Sequence, residues 1–191
     1  MTVSPSEVAA RFAGLVGATR HSAEFGTAKI FVTPDKWIET HRTLQTHLPF
    51  FSWLGAVDWS NERAVGDPAE EPVTERYEVL TRLSDVSAGE AVIVSTDLPK
   101  DAPRLPTLIE VYGGANWHER ETHEMFGILF EGHPNNAHLY LPDGFEGHPL
   151  RKTFPLLSRD VKPWPGIVDV EGMPGEPGET NTEAGDEEVE A

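Results

Sequence analysis

Between residues 51 and 96 the chain carries three runs with strand periodicity and no helix-period stretch between them. "FSWLGAVDW" (51–59) puts Phe51, Trp53, Val57 and Trp59 on one side, with Gly55 between them. "RYEVLTRL" (76–83) sets Tyr77, Val79 and Leu83 against Arg76, Glu78 and Arg82, while "EAVIVST" (90–96) is apolar on both sides and suits a central strand. Parallel neighbours need a long crossover, usually a helix. The connections "SNERAVGDPAEEP" and "SDVSAG" are loop-like instead, so the pattern predicts an antiparallel meander.

Helical signals precede that meander. Ser4-Pro5-Ser6-Glu7 reads as a capping box with proline at the first helical position, followed by Val8, Phe12 and Leu15 on one face. "AKIFV" (28–32) reads as a short strand, and Thr33-Pro34 opens a second helix with Trp37, His41, Leu44 and Leu48 at helical spacing. His41 lies on that apolar stripe and reads as a packed core histidine. Leu105, Leu108, Ile109 and Tyr112 mark a short helix that Gly113-Gly114 interrupts. The expected fold is α+β: N-terminal helices packed on a small, mostly antiparallel sheet, then a short helix and an extended C-terminal arm. The boundaries expected from composition are a globular domain over 1–130, an arm over 131–170 that binds a partner, and a disordered acidic tail over 171–191.

Whole-chain properties exclude several functions. The 191 residues include no cysteine, which rules out disulfides, a thiol nucleophile and thiolate-bound iron–sulfur clusters within this chain. The net charge of −17 argues against nucleic acid as a partner, since phosphates call for clustered Lys and Arg. No apolar run approaches the roughly 20 residues of a membrane-spanning helix. The first residues do not read as a signal peptide, so a cytosolic-side location is expected.

The densest chemistry lies in "NWHERETHEMFG" (116–127). His118 and His123 are five residues apart, which separates them by roughly 140° on a helix, so they cannot grip one metal ion as an H-E-x-x-H pair does. Asn116 is a preferred N-cap, Glu119 stands at the third helical position and Gly127 suits the C′ position, so a helix over 117–126 is expected. On it Trp117, Glu121 and Met125 share a face, while Arg120–Glu124 and Glu119–His123 are spaced as ordinary surface pairs. Glu121 between Trp117 and Met125 has two readings. Either a cation from elsewhere neutralises it and locks two segments together, or it stays isolated with a raised pKa and handles protons. The structural pairing is the more common, and Arg151 or Lys152 in "GHPLRKTFPL" (147–156) is the expected in-chain partner.

"FEGHP" occurs twice, at 130–134 and 145–149, and each copy presents a histidine, His133 or His148, from a stiff turn. The two could meet over a ligand or bind backbone carbonyls where two proteins meet. Trp164, flanked by Pro163 and Pro165, could anchor an arm on a partner or pack in a core.

"WHERETHEMFGILFEGHP…LPDGFEGHPLRKTFPL" (117–156) resembles the signature of the thirty-kilodalton subunit, or C subunit, of proton-pumping NADH:quinone oxidoreductase, respiratory complex I. The matching positions are Trp117, Glu119, Arg120, Glu121, Gly127, Ile128, Phe130, Gly132, His133, Pro134 and the run from Gly147 to Leu156. Glu124 stands where the family usually has Asp, and Ala137 and His138 replace a common basic pair. The resemblance implies a scaffold subunit without cofactors. It implies packing against the forty-nine-kilodalton subunit (the D subunit) and other peripheral-arm subunits near the quinone-reaction region. FMN and iron–sulfur clusters would then reside in partner subunits, and membrane association, on the cytoplasmic side, would come through the complex alone. Trp117, Glu119, Arg120, Glu121, Glu124, His133, His148, Arg151, Lys152 and Trp164 are the expected interface or structural residues. Two alternatives stand beside this reading. One is the equivalent subunit of a membrane-bound hydrogenase or plastid-type dehydrogenase. The other is a metal-dependent hydrolase using His118, His123, His133, His148 and Glu121.

Overall fold

The structure, a computed structural model, describes residues 4–64 and 71–155. They belong to one compact unit, Met1–Leu157. Trp164 and the 171–191 tail lie outside the described residues.

Helix α1 (Pro5–Val16) begins as the sequence dictates. Ser4 accepts from the Glu7 N–H while the Glu7 carboxylate takes the Ser4 N–H, and Gly17 closes the helix at φ 63°. Its buried face is Val8, Ala9, Phe12 and Ala13, and Leu15, expected on that face, is left exposed. Strands β1 (Arg20–Ser22) and β2 (Lys29–Phe31) follow, then a single 3-10 turn at Pro34–Lys36 and helix α2 (Trp37–Gln45). Trp37, His41, Leu44 and Leu48 are fully buried, as the stripe requires. His41 takes the role of a core histidine: one ring nitrogen meets the Trp37 carbonyl and the other the Thr81 hydroxyl, both at 2.7 Å. Burial lowers its pKa to about 4, so the ring is neutral.

The meander is β3 (Phe50–Asp58), β4 (Tyr77–Asp85) and β5 (Glu90–Leu98), all antiparallel. The five-stranded sheet has the order β1-β2-β5-β4-β3, with β2 joined to β5 in parallel. Tyr77, Val79, Thr81 and Leu83 face the helices, opposite Val92, Val94 and Leu98 of β5. In β3 the expected facing is corrected. The register slips between Phe51, opposite Leu83, and Trp53, opposite Arg82. That bulge reverses the alternation, so Phe51 and Leu54 face the helices while Trp53 and Val57 take the other side.

The far face of the sheet has its own buried carboxylate. Glu78 receives Lys29 Nζ at 2.6 Å, Ser95 Oγ at 2.5 Å and Trp59 Nε1 at 2.9 Å. Burial alone would push its carboxyl up, but these donors outweigh it and hold the pKa below the usual value.

After β5 the expected helix around 105–112 is absent. Leu105 belongs to a short strand β6 (Arg104–Pro106), and a single turn over 108–112 carries Leu108, Val111 and Tyr112 into the core. Helix α3 (Ala115–Phe126) follows, and strand β7 (Leu129–Glu131) then pairs with β6 in parallel. α3 lies along β3: His118 meets the Phe51 ring at one end, and Phe126 meets Tyr77 at the other.

Candidate functional site

The signature residues gather on α3 and on the segment that follows β7. Helix α3 starts earlier than its sequence suggests, with Gly114 before it and no side-chain cap, so Asn116 is inside the helix. The residue expected to complete a capping box, Glu119, points inward. It is fully buried and accepts the Leu108 N–H at 2.6 Å and the Thr107 hydroxyl. No cation approaches it among the described residues. Burial raises its pKa to about 7 against those two donors.

The segment from His133 onward runs along a single face of α3, the one formed by Asn116, Arg120 and Glu124. His133 Nε2 lies 3.2 Å from the Asn116 carbonyl. Arg120 donates to the carbonyls of Ala137 and His138, both at 2.9 Å. Glu124, itself buried, accepts the N–H groups of Leu139 (2.8 Å), Tyr140 (3.0 Å) and Leu141 (3.4 Å). These contacts replace the two surface pairs expected along the helix. An exposed i, i+4 pair is worth about 0.3–0.5 kcal/mol, whereas a buried polar group left unsatisfied costs on the order of 1–3 kcal/mol, and more when charged. The buried Glu124 carboxylate therefore takes the arm's N–H groups.

At the C-terminal end of α3 the second "FEGHP" block closes the junction. Gly127 ends the helix at φ 72°. The last carbonyls, the negative end of the helix dipole, receive His148 Nδ1 on Glu124 O (2.8 Å), Leu150 N on Met125 O (3.2 Å) and Arg151 Nε on Phe126 O (2.8 Å). A β-carbon at residue 127 would land on the Arg151 guanidinium and the His148 ring and would have to displace them, on a left-handed backbone that favours glycine. Burial, together with the nearby Arg151 charge, lowers the His148 pKa despite the Glu124 carbonyl.

Lys152 is held at the end of β3. Buried Asp58 accepts the Lys152 N–H at 2.9 Å, Ser60 Oγ at 2.7 Å and Lys100 Nζ at 2.5 Å, and Lys152 Nζ reaches the Ser60 carbonyl at 3.4 Å. Burial would raise the Asp58 carboxyl; Lys100, Ser60 and Lys152 together hold it below its usual value. Lys100 also lies 3.8 Å over the Tyr77 ring.

Arg151 and Lys152 are thus both engaged elsewhere, and the expected neutralisation of Glu121 by either is corrected. Glu121 is half-buried and has no hydrogen bond or ion pair among the described residues. Trp117 beside it is 58% exposed. Around the helix the core takes Ala115, Glu119, Thr122 and Phe126, and the arm takes Asn116, Arg120 and Glu124. Trp117 and Glu121 are left as the free sector, with exposed Tyr140 and Leu150 on the arm. The histidines do not converge. His118 packs on Phe51, His123 Nδ1 lies 2.9 Å from Ile128 O, and His133 and His148 each meet a different α3 carbonyl. Among the described residues no three His, Asp or Glu side chains group as a metal site. No local pattern marks Asp58, Lys100 or Thr107, whose roles depend on contacts far apart in the chain.

Comparison with known proteins agrees with this geometry. The family profile described as respiratory-chain NADH dehydrogenase, 30 Kd subunit, matches residues 30–160, from β2 to beyond the junction. The C subunit of NADH-quinone oxidoreductase from Rhodopseudomonas palustris (strain TIE-1) is 37% identical over 141 residues, covering 74% of this chain; the chain spans 65% of that relative's length. The C/D subunit of NADH-quinone oxidoreductase from Pectobacterium atrosepticum is 38% identical over 88 residues, 46% of this chain and 15% of that protein. A solved trypsin-resistant fragment of Nqo5 superposes with a TM-score of 0.52 at 25% identity, covering 69% of this chain and 98% of the fragment. The chain belongs to the family of the 30 Kd subunit, or C subunit, of respiratory-chain NADH dehydrogenase.

Proposed function

We propose that this chain is a scaffold subunit of the peripheral arm of NADH:quinone oxidoreductase. It packs against the D subunit near the quinone-reaction region and supports electron transfer from NADH to quinone without a cofactor of its own. The observation that carries this reading is the division of labour on α3. Glu119, Arg120, Glu124, His133, His148 and Arg151 bind this chain's own backbone, and Trp117 remains on the surface with Glu121, which is unpaired among the described residues. An aromatic anchor beside a carboxylate suits docking onto a surface that supplies an Arg or Lys. A relative whose name joins C and D in one protein supports the choice of the D subunit as neighbour. This chain has no cysteine to hold a thiolate-bound iron–sulfur cluster, and the reading assigns the clusters and FMN to partner subunits. No helix among the described residues is long and apolar enough to cross a membrane; in this reading the chain attaches through the complex, at the cytoplasmic side.

The test is affinity purification of the chain from its native membrane. Wild type should bring down the D subunit with flavoprotein and iron–sulfur subunits. The double variant Trp117→Ala/Glu121→Arg should lose the D subunit while keeping its own circular dichroism. Recovery of that partner in undiminished yield would remove the proposed role of the α3 surface.

A further inference from the structure

The two edges of the five-stranded sheet are built differently. β1 is three residues long and carries Arg20 and His21, a short, charged edge that discourages strand pairing. β3 is nine residues long, and residues 50–57 include no charged side chain and no proline. The ladder fixes which of its backbone groups are unused. Trp59 N–H donates to Arg76 O at 2.9 Å, so Trp59, Val57, Gly55 and Trp53 turn their N–H and C=O toward β4. Leu54 and Ala56 turn theirs outward. No hydrogen bond reaches those outward groups from any described residue. On α3, which packs along β3, His118 meets the Phe51 ring and the arm binds Asn116, Arg120 and Glu124, and Trp117 and Glu121 lie outside both sets of contacts.

We propose that β3 accepts a sixth strand, an extended segment of a partner protein that carries a Lys or Arg among apolar residues. Main-chain N–H and C=O groups in register call for another extended backbone. The bulge at Phe51/Trp53 limits the pairing stretch to residues 54–57 and a short continuation. Charge selects the occupant. On α3, which packs along β3, Glu121 has no ion pair among the described residues, and the chain as a whole carries −17, so a second copy would bring a second Glu121 and a like net charge. A basic segment answers both. This goes beyond the docking of α3, since it specifies a backbone pairing and a site on a different element.

Residue-resolved hydrogen–deuterium exchange on the full chain, alone and within the complex purified from its native membrane, tests it. The inward amides of Gly55 and Val57 should be protected in both samples, and the outward amides of Leu54 and Ala56 should slow by about 100-fold only in the complex. Equal rates at Leu54 and Ala56 in both samples overturn the proposal, as does protection in the isolated chain, whether it grows with concentration (a second copy) or not (the chain's own segment). As a second arm, Ala56→Pro removes one outward N–H and no β4 bond, and should reduce recovery of the complex about tenfold, while Ala56→Val does not. Undiminished recovery with Ala56→Pro counts against the strand. A chain that enters no complex refutes the scaffold reading instead, so the two failures are distinct.

Discussion

Glu119 offers a sharp test of the packing beneath α3. Its carboxyl is fully buried on donors from Thr107 and Leu108, with no cation near it among the described residues, and its pKa rises from an ordinary 4.5 to about 7. The folded chain therefore holds this proton more tightly than the unfolded chain does. Stability from Glu119 is complete below about pH 4.5, declines as the pH rises, and is lost once the pH passes about 7. The interval corresponds to about 3 kcal/mol. Glu119→Gln keeps an acceptor for the Leu108 N–H and cannot ionise. In urea denaturation of the isolated chain, the variant should match wild type at pH 4 and exceed it by about 3 kcal/mol at pH 8. The comparison cancels His41, whose pKa of about 4 acts in the other direction: its contribution is full above about pH 6.5 and is lost as the pH falls through 4. A stability difference between Glu119→Gln and wild type that stays constant from pH 4 to pH 8 would refute the reasoning.

Three further substitutions probe the junction and the frame around it. Gly127→Ala should destabilise the chain by about 3 kcal/mol in chemical denaturation, because the left-handed backbone adds its strain to the displacement of Arg151 and His148. Lys100→Met leaves Asp58 buried without its cation and should cost about 3 kcal/mol, much of which the double variant Asp58→Asn/Lys100→Met recovers in a double-mutant cycle. Phe25, fully exposed at φ 52°, is the only non-glycine residue with positive φ among those described, so Phe25→Asn should raise stability by about 1 kcal/mol in thermal or urea melts.

The parts of this fold that the sequence discloses are those decided by neighbours in the chain. α1 is set by the Ser4–Glu7 box, the α2 stripe by Trp37, His41, Leu44 and Leu48, and β4 by a clean alternation, so each is legible. β3 misleads because one extra residue at its bulge exchanges the faces of Phe51 and Trp53, and nothing local announces it. The turn at 108–112 misleads for a related reason: Leu105, Leu108 and Tyr112 have helical spacing, yet Leu105 is drawn into pairing with Phe130 of β7. On α3 the helix and its Gly127 terminus are legible, while the side-chain partners are not. Spacing suggests Glu119–His123 and Arg120–Glu124, but partners from Thr107 and from 137–141 take those groups. Glu121 stands out in the sequence as the odd carboxylate, and it is unpaired among the described residues because the cations expected for it serve the end of α3 and the Ser60 carbonyl.

Hydroxyl-radical footprinting of Trp117 measures the central claim, that the free face of α3 is a docking surface. In the isolated chain this indole is 58% exposed and should oxidise readily. In the complex purified from its native membrane its labelling should fall by about tenfold, with Phe25 as an exposed aromatic for reference. Equal labelling of Trp117 in the free chain and in a complex that holds the D subunit would contradict the account.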